Sequence, residues 1–566
     1  MAQAMAQTIT LTPNDLPLQR IYSLAKTQPD TVYMTQPLGG GQSKDYTWGQ
    51  TLTEVSQMAA YLKSQGWPAG SKVAIMSKNC AQWIISDLAI WMAGYVSVPL
   101  YPTLAGETVK QILEHSEAKF CFVGKLDDWE MMRTGIPAGL PCIAYELAPD
   151  SARKIYPLWG DVIAKTSPIV GQPVREMDDL ATIIYTSGTT GMPKGVMHSF
   201  KTLNWATLSG VTQMNLPQGC RMLSYLPLAH VAERACVEHA SFVLAGHVFF
   251  AESLDTFVRD VQRARPQLFF SVPRLWVKFQ QGVQKKMPAE KLAKLLRIPI
   301  LRGIIKKKIL TGLGLDQVLV AVGGAAPMPP QLLTWYASLG LPISEAYGMT
   351  ENAAVSHTTM PGVLRPGTVG KPYVGVESRI DKDTGEIQMR SPGLMLGYYK
   401  EPALTEAAMT ADGWLRTGDK GAIDAQGDLK ITGRVKDLFK TSKGKYVAPA
   451  PIEDQLVMNP AIEACAVVGA NLGQPLGLVM LSETGMQESK DTHQVLTDAL
   501  TAHLNSINQK LDPHEQMDKL IVVKVAWNVE NGFVTPTFKI KRNKIEEAYG
   551  ARFEEWSNTK AKIIWE

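Results

Sequence analysis

At 566 residues the chain exceeds what a single hydrophobic core organises, so several domains or subdomains are expected. Its 45% hydrophobic and 19% charged residues are those of an ordinary globular protein, and a formal net charge of +4 over this length gives no reason to expect a nucleic acid partner. Six cysteines, at 80, 121, 142, 220, 236 and 465, lack paired metal-type spacing, which argues for reduced thiols and against a disulfide or zinc framework.

The N-terminal Met-Ala-Gln-Ala-Met-Ala-Gln has no basic stretch leading into an apolar core, so no secretory signal is read and a cytoplasmic location is the default expectation. Apolar runs at Lys72-Val-Ala-Ile-Met76 and Phe120-Cys-Phe-Val-Gly124 alternate with helix-like stretches over 81–93 and 107–116, the pattern of strands joined by crossover helices. The most apolar segments, 88–102 and 241–251, are too short or too interrupted by Gly, Pro and His to span a bilayer. A strand is expected at Ala181-Thr-Ile-Ile-Tyr185. Further strands at 267–272, 317–322 and 386–390 exceed the needs of one sheet. Lys306-Lys-Lys308 is short and reads as a solvated helix face. A polar, glycine-containing connector over 431–437 leads into strands at 463–469, 477–481 and 521–525 and a helix at 492–510. The expected fold class is therefore α/β, with a large body of mixed sheets followed by a smaller mixed segment.

The loop Tyr185-Thr-Ser-Gly-Thr-Thr-Gly-Met-Pro-Lys-Gly195 follows a strand and carries hydroxyls, glycines and one lysine. Glycines let backbone N–H groups approach an anion, Ser187, Thr189 and Thr190 can donate hydrogen bonds, and Lys194 adds charge. The spacing is not that of a P-loop, because Lys194 is followed by Gly195 and not by a hydroxyl residue. Five more segments follow in order. They are Val322-Gly-Gly-Ala-Ala-Pro327, Tyr347-Gly-Met-Thr-Glu351, Thr417-Gly-Asp419, Gly433-Arg-Val-Lys-Asp437 and Pro536-Thr-Phe-Lys-Ile-Lys541.

This ordered set, spanning residues 185–541, resembles the signatures of the adenylate-forming superfamily, which includes acyl-CoA synthetases, luciferases and peptide-synthetase adenylation domains. The resemblance implies a large N-terminal body over 1–433 and a small, mobile α+β lid over 434–566, hinged at Lys436. It implies that Thr186, Ser187, Gly188, Thr189, Thr190, Gly191 and Lys194 hold the phosphates of ATP. Glu351 would bind magnesium with support from Thr186, and Thr350 would reach the α-phosphate. Tyr347, beside Gly348, would lie against adenine, with Gly324, Ala325 and Ala326 allowing close approach. Asp419 would accept from both ribose hydroxyls, Arg434 would sit nearby, and Lys539 would act on the α-phosphate during adenylation. Lys541 and Arg542 are assigned to solvent or to the phosphates of coenzyme A. The segment after the hinge departs from the common pattern, with Lys445 where many relatives carry a glutamate, so Lys440 and Tyr446 are carried over only as loop residues near the nucleotide or the thiol acceptor.

Within the superfamily, Leu226-Pro-Leu-Ala-His-Val-Ala-Glu-Arg234 and Ser271-Val-Pro-Arg-Leu-Trp-Val-Lys278 resemble the long-chain fatty acyl-CoA synthetase branch. There His230 matches an aromatic position that can close the acyl channel. The expected reaction joins a medium- or long-chain fatty acid to coenzyme A through acyl-AMP, using ATP and magnesium, with peripheral membrane contact open. Aryl-CoA ligation, fatty acyl-AMP ligation to a carrier protein, and nucleotide binding without catalysis are the alternatives.

Overall fold

The computed structural model describes residues 9–186, 193–535 and 539–566. The loop residues Ser187, Gly188, Thr189, Thr190 and Gly191, and Pro536 to Phe538 before the expected catalytic lysine, lie outside the described residues. The chain divides into two compact units, Met1–Ser378 with Met389–Leu415 and Arg379–Gln388 with Arg416–Glu566. The expected boundary at 433/434 thus falls inside the smaller unit, because Arg416 to Arg434 folds with the later chain.

Two sheets build the larger unit. One has nine strands, with a parallel centre of Ile343–Tyr347, Val320–Gly324, Leu268–Ser271, Arg221–Ser224, His247–Phe250 and Val32–Gly39, flanked by short or antiparallel edge strands. The other has seven. In it Lys72–Met76, Val96–Leu100, Phe120–Val123, Cys142–Ala144 and Leu180–Thr186 run parallel, while Lys194–Ser199 folds back antiparallel on Leu180–Thr186 and pairs on its far side with Gly397–Tyr398. Helix Ala81–Met92 is buried at every position, its polar Gln82, Ser86 and Asp87 included. Its Trp83, Ile84 and Trp91 share one core with Tyr33 and Val248 of the first sheet and Val73 and Ile75 of the second.

A charge network crosses this core. Arg234, fully buried, donates to Glu238 Oε2 at 3.0 Å and Thr182 Oγ1 at 2.7 Å and pairs with Asp87, while its guanidinium lies over Trp83 and Trp91. A buried cation is tolerated only with such partners, and removing one would leave an uncompensated charge.

A four-stranded sheet of Glu377–Ile380, Glu386–Arg390, Leu415–Ile423 and Leu429–Arg434 holds the Thr-Gly-Asp segment. Beyond it, strands Ile462–Val468, Leu476–Leu481, Lys519–Val522 and Ile563–Trp565 form a mixed sheet packed by helix His493–Asn508. Among the described residues all six cysteines are free, and no helix is long and apolar enough to cross a membrane.

Candidate active site

The loop expected to hold phosphates is flanked by antiparallel strands: Thr186 and Lys194, on either side of residues outside the described set, face each other as partners. Lys194 then meets a residue that the motifs did not single out. Its Nζ lies 5.3 Å from the ring centre of Tyr398, which stands on the strand paired with Val196. The Tyr398 phenol in turn donates to Glu351 Oε1 at 2.8 Å. Burial first, and then the adjacent Glu351 carboxylate, push that phenol above its ordinary value, so it remains a proton donor.

Glu351 lies in the short 3-10 turn Thr350–Asn352. The turn is fixed from three sides: Met395 N donates to the Glu351 carbonyl at 2.8 Å, Asn352 Oδ1 accepts from Met349 N at 2.9 Å, and His198 Nε2 reaches the Thr350 carbonyl at 2.7 Å. Burial lowers the His198 imidazole to about 4. It is therefore neutral near pH 7, and because a carbonyl can only accept, its proton sits on Nε2 and Nδ1 faces Thr202 Oγ1 at 3.0 Å. Neither His198 nor Tyr398 carries a motif signal. The only sequence hint for Tyr398 was an aromatic following glycine at Gly397.

The residues expected to line adenine lie where two parallel strands end side by side. Gly324 pairs with Ala346, one residue before Tyr347, and a Cβ on Gly324 would lie 2.9 Å from the Ala346 carbonyl oxygen. Ala325, next along, has φ +66°, an uncommon backbone state for a residue with a side chain, and Ala326 follows it. Tyr347 pairs with His357, their ring centres 6.3 Å apart, and a Cβ on Gly348 would collide with the Ala354 carbonyl at 2.3 Å. His230 begins the short helix Val231–Glu233, where its Nδ1 accepts from Ala232 N at 3.1 Å and its ring stands 6.4 Å from that of Tyr101. Three residues on, Glu233 is buried and accepts from Ser224 Oγ and Tyr225 N at 2.9 Å, and burial lifts its carboxyl to about 8.

In the smaller unit, Asp419 pairs across the sheet with Arg434, whose Nε donates to Asp419 Oδ1 at 2.9 Å. The Thr417 hydroxyl donates to the Ile387 carbonyl at 2.6 Å and accepts from Asp419 N at 3.2 Å, while Gly418 N donates to Glu386 Oε1 at 2.9 Å, so the whole Thr-Gly-Asp turn is pinned. Lys436 is exposed between two anchored neighbours: Val435 N donates to the Gly418 carbonyl, and Asp437 accepts from Arg542 Nε at 3.3 Å. Arg542 also pairs with Glu453 at 2.5 Å and donates to the Val467 carbonyl at 3.1 Å. It is a structural clamp, not the solvent or coenzyme contact expected from its basic neighbours. Lys440 pairs with Tyr446 in a small hairpin, its Nζ 5.7 Å from that ring. Lys539 is exposed, with its backbone N–H donating to Thr535 Oγ1 at 3.1 Å.

No group of three or more His, Cys, Asp or Glu able to hold a metal occurs among the described residues. Magnesium bound through one carboxylate, with nucleotide phosphates and water completing its shell, needs none. Glu351 fits that mode, since Tyr398 engages one oxygen and leaves the carboxylate a second to offer.

A family model described as AMP-binding enzyme matches residues 22–399, and one described as AMP-binding enzyme C-terminal domain matches 436–559. The chain belongs to the AMP-binding enzyme family. It is 29% identical to a long-chain-fatty-acid–CoA ligase of Mycobacterium bovis over 94% of this chain and 96% of that one. It is also 29% identical to the peroxisomal long chain acyl-CoA synthetase 6 of Arabidopsis thaliana, covering 90% and 81%. Among solved structures, the adenylation domain of the Segniliparus rugosus carboxylic acid reductase, in complex with AMP and a co-purified carboxylic acid, matches with TM-score 0.78 at 22% identity over 96% and 94% of the two chains. The Bacillus subtilis O-succinylbenzoate coenzyme A synthetase in complex with AMP matches with TM-score 0.72 at 21% identity over 93% and 98%. These two show the same fold.

Proposed function

We propose that this protein activates a medium- or long-chain fatty acid as acyl-AMP and transfers the acyl group to coenzyme A. The observation that carries the reading is the array Thr186, Lys194, Tyr398 and Glu351, held beside Thr350, in a chain alike along nearly its whole length to long-chain-fatty-acid–CoA ligases. A carboxylate is a poor electrophile, so it must first become a mixed anhydride. A carboxylate oxygen attacks the α-phosphorus of ATP, the bond to the bridging oxygen breaks, and pyrophosphate leaves. Two anions meet in that step, and fixed donors and cations are what lower its barrier. Lys194 and the loop hydroxyls bind the phosphates, Thr350 orients the α-phosphate, and Lys539 neutralises charge on the α-phosphate and bridging oxygen. Glu351 would hold magnesium, which when bound would supply further charge neutralisation. Asp419 receives the ribose hydroxyls. The thiol sulfur of coenzyme A, its proton released to solvent, then attacks the acyl carbon, and AMP leaves with the electron pair of the broken C–O bond.

Preference for a long acid is a matter of transfer from water, roughly 0.8 kcal/mol per buried CH₂. The test is pyrophosphate release across a panel of aliphatic and aromatic acids of graded length, with and without coenzyme A. Release and thioester formation that grow with chain length are expected. Release without thioester would move the reading to a fatty acyl-AMP ligase, aromatic preference to an aryl-CoA ligase, and silence with intact AMP binding to a non-catalytic binder.

A further inference from the structure

Between Lys285 and Lys308 nine lysines and arginines accompany one acid, Glu290. That surplus of eight is twice the net charge of the whole chain, +4. The segment folds as two helices, Ala289–Leu296 and Pro299–Leu313. One face is anchored: Leu292, Ile309 and Leu313 are buried in the same cluster as Phe269 and Ala321, on the sheet whose strand ends at Gly324. The other face has no cover. Ile300 is 83% exposed and Ile304, one turn on, 61%, with Ile298 at the bend between the helices also exposed. Lys308 lies one turn after this pair on the same helix, and Arg297 caps the C-terminus of the helix before it, so cations stand at both ends of the apolar stripe. No ion pair among the described residues engages any of the nine cations. Beside Ile304 lies a depression of about 860 Å³ lined by Lys307, Lys308, Arg265 and Asp316. Arg265 is already paired with Asp316 at 2.5 Å, which leaves the two lysines as its uncompensated charge.

Bare isoleucines ringed by unpaired cations suit a surface that is apolar below and anionic above. We propose that the helix pair Ala289–Leu296 and Pro299–Leu313 docks this protein onto an anionic lipid bilayer, with Ile300 and Ile304 entering the headgroup–acyl boundary and Lys307 and Lys308 meeting lipid phosphates. A second copy of the chain is a poor occupant, since it would bring a like-charged face against this one. A nucleic acid would use the cations and leave the isoleucines in water. The inference goes beyond the catalytic reading and is measured without acid, ATP or coenzyme A, so either can fail alone.

The experiment is co-flotation of the full chain with vesicles of phosphatidylglycerol and phosphatidylcholine in equal parts, against phosphatidylcholine alone, at low and high salt. Binding to the anionic vesicles that weakens with salt is expected. Lys307→Gln with Lys308→Gln should lower partition roughly 25-fold, about fivefold for each cation near the surface. Ile300→Ser with Ile304→Ser should lower it at least about tenfold at either salt concentration. Both pairs of positions are exposed, and unchanged thermal unfolding of each double variant checks that the fold is intact. Absent flotation, equal flotation on neutral vesicles, or indifference to either double variant overturns the proposal. Concentration-dependent self-association without lipid, lost on Ile300→Ser with Ile304→Ser, also overturns it and assigns the face to a second copy.

Discussion

The phenol of Tyr398 donates to Glu351 Oε1 at 2.8 Å while the same ring lies 5.3 Å from the ammonium of Lys194. One side chain thus touches both the cation proposed for the phosphates and the carboxylate proposed for magnesium. The strand pair Gly397–Tyr398 with Val196–Met197 enforces this, so the spacing of the two groups is set by backbone hydrogen bonds. A carboxylate aimed by a fixed donor meets an incoming metal with less side-chain entropy to lose.

Tyr398→Phe removes the donor and keeps the ring. The magnesium concentration for half-maximal pyrophosphate release should rise roughly fivefold, corresponding to about 1 kcal/mol for one hydrogen bond, while AMP affinity measured without metal stays put. Tyr398→Leu also removes the ring beneath Lys194 and should weaken ATP binding as well. Unaltered magnesium dependence in Tyr398→Phe would show that the phenol does not orient Glu351.

His198 ties stability to pH. Its folded-state value is about 4 against an ordinary 6.5, so the unfolded chain takes up the proton first as the solution is acidified. The stabilisation is complete above pH 6.5 and is lost as pH falls through 6.5 towards 4. The separation of the two values corresponds to roughly 3 kcal/mol in full, of which about 2 kcal/mol is gone by pH 5. His357, also lowered to about 4 by burial, acts in the same window. In urea unfolding, His198→Gln keeps a donor for the Thr350 carbonyl but cannot titrate, so its deficit relative to the unmodified protein should shrink between pH 7 and pH 5. A deficit that does not change with pH would remove His198 from the acid response.

The strand Lys72–Met76 was legible as a short apolar run, Glu386–Arg390 as alternating polar and apolar residues, and the helix Ala81–Met92 as a longer, mostly apolar stretch. The family was legible because the order of the motif segments along the chain resembles it. Tyr398, His198 and the Asp87–Arg234–Glu238 network were not, since each matters only through a partner at least 47 residues away or through burial. Arg542 looked solvated beside Lys541 for the same reason: its partners Asp437 and Glu453 lie about a hundred residues earlier. The segment Arg379–Gln388 joins the smaller unit through cross-strand contacts that no linear pattern records.

Asp419→Ala should weaken ATP and AMP binding alike. Its carboxylate is held by Arg434 and by a turn pinned at Thr417 and Gly418, so it is preorganised to accept hydroxyl donors. Loss of a charged acceptor costs on the order of 1.5–3 kcal/mol, read by calorimetry as a roughly 10- to 150-fold rise in Kd. Equal affinities in the variant and the unmodified protein would sink the ribose assignment.

The two half-reactions make conflicting demands on the lid. In the proposed mechanism Lys539 lies beside the α-phosphate during adenylation, and the thiol of coenzyme A later reaches the acyl carbon from the lid side. Rotation about Lys436 would resolve the conflict by withdrawing the lysine and presenting a different face. Val435 is anchored to Gly418 and Asp437 to Arg542, all within the smaller unit, and Lys436 between them is proposed as the pivot. Opposite defects are therefore expected. Lys539→Ala should lose acyl-AMP formation from acid and ATP but still convert supplied acyl-AMP to thioester. Lys436→Pro, which restricts φ at the pivot, should form acyl-AMP and stall before the thioester. Each half-reaction is followed separately, by pyrophosphate release and by thioester appearance from synthetic acyl-adenylate. Equal loss of both in well-folded variants would defeat the alternating lid, and normal adenylation by Lys539→Ala would pass the catalytic role to Lys541.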